Sequence, residues 1–327
     1  MNGQVPGSGC RRTPGGRPRP VLLPREEQTR RQGAVTAAAT PADDVSADTY
    51  REVLEELTAH PTRHSFSQPY RDAASKAGER LAALGYATRE EPVSFGGRHT
   101  LNVIADKPGS APGNERQLVY VMAHLDSINE AGGVNAPAPG ADDNASGAAG
   151  VLEIARVLAA TTTKHDLRLV AFGGEEQGLH GSRIHVAGLP EAERTRISMA
   201  VNMDMIGRLN TAAPSVLLEG AAVSQHVIDA LAQAAHEMTD LEVFTSLQPF
   251  ASDHVSFIDA GLPAVLTIEG EDQLNTDEHT PRDTPAGLDL SVAVSILRMN
   301  ALAVATALGH QLDGSGPDGG GQVKRTV

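Results

Sequence analysis

Three apolar, β-branched runs that each stop abruptly at His, Asp or Glu constrain this chain most. Gln117–Ala123 runs into His124-Leu125-Asp126, Asp166–Gly173 into Gly174-Glu175-Glu176, and the run around Val201 ends at Asp204. Short runs that are apolar at nearly every position read as strands buried on both faces. Further strands are expected at Asn102–Ala105, Ser215–Glu219, Glu242–Thr245 and Pro263–Ile268, with the run around Val201 spanning Ile197–Met203. Between them, apolar residues at spacings of three and four predict helices over Thr49–Thr58, Ser67–Leu84, Gly147–Ala159, Ser224–Met238 and Asp289–Leu308. This alternation predicts an α/β fold: a three-layer sandwich with a central, mostly parallel mixed β-sheet and helices on both faces. In open sheets of this kind ligands gather beyond the carboxyl ends of the strands, which is where the three runs place their acids and His.

Composition and charge narrow the function classes. The single cysteine, Cys10, excludes a disulfide framework and a cysteine-ligated zinc or iron–sulfur site. No run approaches the ~18 consecutive apolar residues of a membrane helix, so no membrane partner is expected. The N-terminus lacks the apolar stretch of a secretory signal. A cytoplasmic compartment is the default expectation, and export is expected instead if translation starts further along the chain. Residues 1–45 hold seven Arg against four acids, while the rest of the chain holds 20 basic against 37 acidic residues. A body so acidic repels phosphate backbones, so no nucleic-acid partner is expected. The Gly-, Pro- and Arg-rich residues 1–45 show no hydrophobic period and are expected to form a disordered leader. Residues 313–327 read as a flexible tail, and 46–312 as one α/β domain.

The polar residues at the strand ends have ordinary readings when taken singly. His124 and Asp126 could be a surface pair, although residues two apart on an extended segment share a side and a ligating His commonly gives its second N–H to an acid. Asp142, Asp143, Asn144 and Ser146 precede a helix, and capping accounts for one such residue rather than four. Glu175-Glu176 reads as a solvated loop or as an acid pair gathered around a cation. Asp204, flanked by Met203, Met205 and Ile206, needs a partner, for which Arg208 is one candidate. Taken together, His124, His279, Asp143, Glu176 and Asp204 suit two zinc ions that share one bridging carboxylate. Glu175, beside a ligand but not one of the five, then suits a general base.

In this order the motifs AHLDS, PGADDNASG, FGGEEQGLHGS, NMDMIG, SDHVSF and EHTPRDT closely resemble the co-catalytic zinc aminopeptidases of the bacterial leucyl aminopeptidase and aminopeptidase Y type. The resemblance covers roughly Thr49 to Leu308, including Thr62-Arg63-His64-Ser65 and Leu101-Asn102-Val103-Ile104. It implies a zinc exopeptidase-like fold holding two Zn²⁺ and acting on a peptide with a free N-terminus. His124 and Asp204 would then hold one zinc, Glu176 and His279 the other, and Asp143 would bridge them, with a cis peptide just after it. Asp126 would orient His124, and Glu175 would pass the water proton to the leaving amine. Two positions depart from some members of the family: Glu278 stands where they carry a Tyr thought to steady the oxyanion, and Ala251 where they carry Arg. Asp253 and His254 match a motif, and structural support is the role expected of them.

Other reactions share this scaffold. Metallo-carboxypeptidases and deacylases insert a lid domain between the Glu pair and the last His, whereas here the residues between Glu176 and His279 read as strands and helices of the main sheet. Glutaminyl cyclase-like acyl transfer uses a single zinc. A non-catalytic binding module on the same scaffold would be expected to lose ligands or the base, and all are present.

Overall fold

The computed structural model describes residues 20–23 and 39–310. Its strands are β1 (Val21–Leu23), β2 (Ala87–Phe95), β3 (Arg98–Lys107), β4 (Leu118–His124), β5 (Asp166–Phe172), β6 (Ile197–Met203), β7 (Ser215–Glu219), β8 (Glu242–Ser246) and β9 (Ala264–Glu269). The helices are α1 (Ala47–Thr58), α2 (Gln68–Ala83), α3 (Gly147–Leu158), α4 (His180–Gly188), α5 (Glu191–Arg194), α6 (Gln225–Met238), α7 (His254–Asp259) and α8 (Leu290–Ala307). All the strands join one mixed sheet in the order β1-β8-β7-β9-β6-β4-β5-β3-β2. The centre, β9-β6-β4-β5, is parallel throughout, and antiparallel pairs β7·β9 and β3·β5 flank it.

Strand β4 shows how the pleat builds the layers. Val119, Val121 and Ala123 pack into the core formed with α1, α2, α3, α6 and α8. The alternate residues Leu118, Tyr120 and Met122 pack on the opposite face with Val186 of α4 and Phe257 of α7. Side chains alternate with period two, so a strand apolar at every position requires cover on both sides. The three-layer expectation holds. α8 is long and apolar enough to cross a membrane by length and composition alone, but Val292, Ile296, Leu297 and Val304 bury it against the sheet.

Strands β6 to β9 and helices α4 to α7 fill the stretch between Glu176 and His279, and no separate lid unit interrupts them among the described residues. Sequence patterning missed β2, α4, α5 and α7. β2 is an edge strand whose side chains are mostly exposed, so it lacks the apolar alternation that marks a half-buried strand. The three helices have nine, four and six residues, too few for a periodic stripe to emerge.

The leader expected over 1–45 is structured where it can be described. Val21–Leu23 pairs antiparallel with β8 at the sheet edge. Thr40 caps a turn of 3₁₀ helix at Pro41–Asp44, Ala42 and Val45 are buried in the core, and the Ser46 N–H donates to Glu153 at 2.7 Å. Composition missed this because two small apolar residues are enough to dock a short segment. The remainder of that leader and the 313–327 tail lie outside the described residues. Deleting the chain through Val45, compared with deletion through residue 38, is expected to remove roughly 2 kcal/mol of apolar burial. The melting temperature should then fall by about 4–8 °C. Equal melting temperatures for the two deletions would show that the segment contributes nothing.

Candidate active site and metal centre

Because β4, β5 and β6 are parallel neighbours, their carboxyl ends deliver His124, the Glu175-Glu176 turn and Asp204 to one place. Close packing of α3 brings the fourth element in. A Cβ on Gly147, at the start of α3, would lie 2.4 Å from the Met203 carbonyl oxygen, so only glycine lets the 141–146 turn approach β6. That turn carries Asp143, and the Asp143–Asn144 peptide is cis. His279 arrives from the loop after β9, held at φ +57° in the left-handed region that few non-glycine residues occupy.

Asp143 stands between two groups of side chains. Its Oδ1 is 3.1 Å from His124 Nε2, and the same nitrogen is 3.2 Å from Asp204 Oδ1. Its Oδ2 is 2.9 Å from His279 Nε2, which is also 2.9 Å from Glu176 Oε2. All five residues named for the metals therefore converge, with the Asp143 carboxylate spanning the two groups. None of the five is more than 9% exposed, so neither a surface pair nor a solvated loop describes them. Arg208 is not the partner of Asp204: its guanidinium contacts Asp277 at 2.8 Å.

The donors meet without satisfying one another. His279 Nε2 and both carboxylate oxygens of Glu176 lack a hydrogen-bond partner among the described residues despite their short approaches. Electron-pair donors buried face to face in this way fit a shared cation, and imidazole with carboxylate is a donor set that suits zinc. The electrostatics agree. Burial and the neighbouring Asp143 push Glu176 up to about 7 against the pull of His279. Burial also raises Glu175 well above the carboxylate range, in spite of His124. Burial alone would lower both imidazoles, yet the surrounding acids raise His124 and His279. Burial would likewise raise Asp143, but the two imidazoles hold it below its ordinary value.

A sequence profile of peptidase family M28 matches residues 102–304, a span that takes in the whole cluster. The chain belongs to peptidase family M28. Among relatives of this M28 chain, aminopeptidase YwaD of Bacillus subtilis is 30% identical over 269 residues, covering 81% of this chain and 57% of the relative. Leupeptin-inactivating enzyme 1 of Streptomyces exfoliatus is 32% identical over 254 residues, covering 74% of this chain and 53% of the relative. The chain thus spans little more than half the length of these curated relatives. In fold, it superposes on a zinc aminopeptidase from Bacillus subtilis with a TM-score of 0.72 at 18% identity, over 81% of this chain and 96% of that one.

Around the M28 cluster, a layer of supports holds the side chains in place. Asp126 was expected to orient His124, and its backbone oxygen lies 3.1 Å from His124 Nδ1, with the carboxylate Oδ1 farther off at 3.7 Å. That carboxylate also accepts the backbone N–H groups of Glu175 and Glu176, at 3.3 and 3.4 Å, and the Ser65 hydroxyl at 2.8 Å. Asp126 thereby sets both the His and the Glu pair. Ser252 donates to Asp204 at 2.7 Å and accepts from Asn202, which gives the SDHVSF motif a positioning role through its first residue. Asp283 accepts the backbone N–H groups of Asp142 and Asp143, each at 3.0 Å. Arg63, fully buried, donates to the carbonyls of Leu125 and Gly140 on either side of the site.

Sequence reasoning assigned no task to Ser65, Ser252 or Asp283, although each lies inside a motif it singled out. Asp283→Ala would strand two buried N–H groups. Each such loss costs about 1–3 kcal/mol. The expected result is a clear fall in thermal stability together with weaker metal uptake, read by thermal denaturation and metal analysis of one preparation.

Proposed function

We propose that this protein is a zinc-dependent aminopeptidase that removes the N-terminal residue from peptides with a free amino terminus. The observation that carries the reading is the Asp143 carboxylate, with one oxygen facing His124 and the other facing His279. In this reading His124 and Asp204 would hold one ion, Glu176 and His279 would hold the other, and Asp143 would serve both. Zinc at such a site supplies Lewis acidity toward a carbonyl oxygen and makes water a nucleophile near neutral pH. The peptidase unit runs through 39–310, with Val21–Leu23 added at the sheet edge.

The side chains divide the remaining work. Glu175 takes a proton from the attacking water and returns it to the leaving amine. Its burial suits this task, because it raises the proton affinity of Glu175 above that of an ordinary carboxylate and so favours taking a proton from water. Asp126, through the N–H groups of the turn, holds the Glu175 backbone in place. The buried position of the cluster limits bulk water around the reacting groups.

A panel of aminoacyl chromogenic substrates, assayed with and without zinc, tests reaction class and specificity together. Zinc-dependent release of the chromogenic amine is the expected result. The fold also resembles a Porphyromonas gingivalis glutaminyl cyclase, with a TM-score of 0.65 at 21% identity over 80% of this chain and 99% of that one. A peptide beginning with Gln therefore belongs in the panel. Cyclisation of that peptide without hydrolysis of the others would overturn the peptidase reading.

A further inference from the structure

Beside the Glu175 turn, outside the ligand set, four aromatic rings stand in a row. His64 lies 5.5 Å from Phe66 between ring centroids, Phe66 lies 4.8 Å from Phe95, and Phe95 stacks on His180 at 3.8 Å. The rings come from three parts of the chain: the loop between α1 and α2, the end of β2, and the start of α4. All four are half-buried, so they belong neither to the core nor to the open surface. Burial lowers both imidazoles from the ordinary histidine range, aided by Arg183 at His180 and, at His64, by Arg98 against the pull of Asp126.

The row is tied to the proposed catalytic turn at two points. Ser65, between His64 and Phe66, donates to Asp126 at 2.8 Å and accepts the Gly174 N–H at 2.7 Å. Phe95 packs directly on Gly174, where an added Cβ would come within 2.9 Å of its ring. The rings therefore begin one residue from Glu175.

We propose that His64, Phe66, Phe95 and His180 form the subsite for the residue immediately after the scissile bond, and that they select an aromatic side chain there. The inference rests on the peptidase reading above. A general acid must lie within hydrogen-bond reach of the amine it protonates, so the residue carried by that amine starts beside Glu175. Tilted and stacked rings offer faces and edges that a further ring can pack against. Exposed Arg98 rests 4.2 Å from the Phe66 centroid, a cation–π contact weak enough for an incoming ring to replace.

The test compares kcat/KM of the zinc-loaded full chain for the dipeptides Leu-Phe and Leu-Gly. Wild type should favour Leu-Phe, and Phe66→Ala should lower the Leu-Phe to Leu-Gly ratio by about three- to tenfold, as expected for loss of an aromatic pair. The change should appear chiefly in KM, and Phe66→Tyr should restore the ratio. Phe66→Leu keeps most of the volume while removing the flat face, so it gives the same reading should the alanine variant fold poorly. An unchanged ratio in the leucine variant, with both dipeptides still cleaved, would overturn the subsite and leave the peptidase reading intact. A wild-type protein that releases leucine from neither dipeptide would overturn both.

Discussion

Glu175→Gln is expected to retain the fold and its full complement of zinc while losing about 10²–10⁴-fold in kcat, the usual loss on removing a general base. An amide of the same shape cannot accept a proton from water. KM should change much less, because the lost interaction belongs mainly to the transition state. The neighbouring Glu176→Gln should behave differently, with weaker zinc binding and loss of activity that excess zinc partly restores. Distance does not separate the two residues: ligand atoms of His124, Glu175 and Asp204 lie within 4.8 Å of one another, as do those of His124, Asp143 and Glu176. The assignment rests on Glu176 meeting His279 and Asp143 around a common point. Metal analysis and steady-state kinetics on both variants decide it. Near-normal turnover in Glu175→Gln, or loss of zinc by that variant, would reverse the roles.

Removing metal with a chelator is expected to abolish turnover and to lower the melting temperature, both recovering at two zinc ions per chain. Without a cation, buried Asp143, Glu175, Glu176 and Asp204 face one another with two imidazoles between them. Zinc binding to the folded state alone, at 1,000 times its Kd, stabilises by about 4 kcal/mol. In a domain of this size that is a shift of roughly 8–16 °C. The pH dependence has a definite sign. In the metal-free protein Glu176 titrates at about 7, so below that pH it carries a proton that zinc must displace. Zinc must also displace protons from His124 and His279, which the surrounding acids raise above the ordinary histidine range. Zinc affinity should therefore fall as pH drops, and fall more steeply below about 7, with proton release on binding that calorimetry in buffers of different ionisation enthalpy can count. Full recovery at one zinc per chain would refute the dinuclear reading. Undiminished turnover after exhaustive chelation would refute the metallopeptidase reading altogether.

The primary sequence by itself determined the sheet centre and the ends at which the site forms. The runs ending at His124, Gly174-Glu175 and Asp204 carry their signal locally: nearly every residue from Leu118 to Ala123 is apolar because both faces of β4 are covered, and the first polar residues mark where that cover ends. The same locality marks His124, Glu176 and Asp204, whereas Asp143 and His279 stand out only when the motifs are taken together. Tertiary structure alone decided what aims them. Asp126 meets the Glu pair across 49 and 50 residues of chain, Ser252 meets Asp204 across 48, and Asp283 meets Asp142 across 141. Hydrogen bonds of that span leave no period in the sequence, since a residue's pattern reports its own helix or strand and not the element that packs against it. The edge strand β2, the short helices α4 and α7, and the docking of Ala42 and Val45 escaped for a related reason. Each owes its place to contacts with distant residues rather than to a regular pattern of its own, and only the assembled sheet brings those partners together.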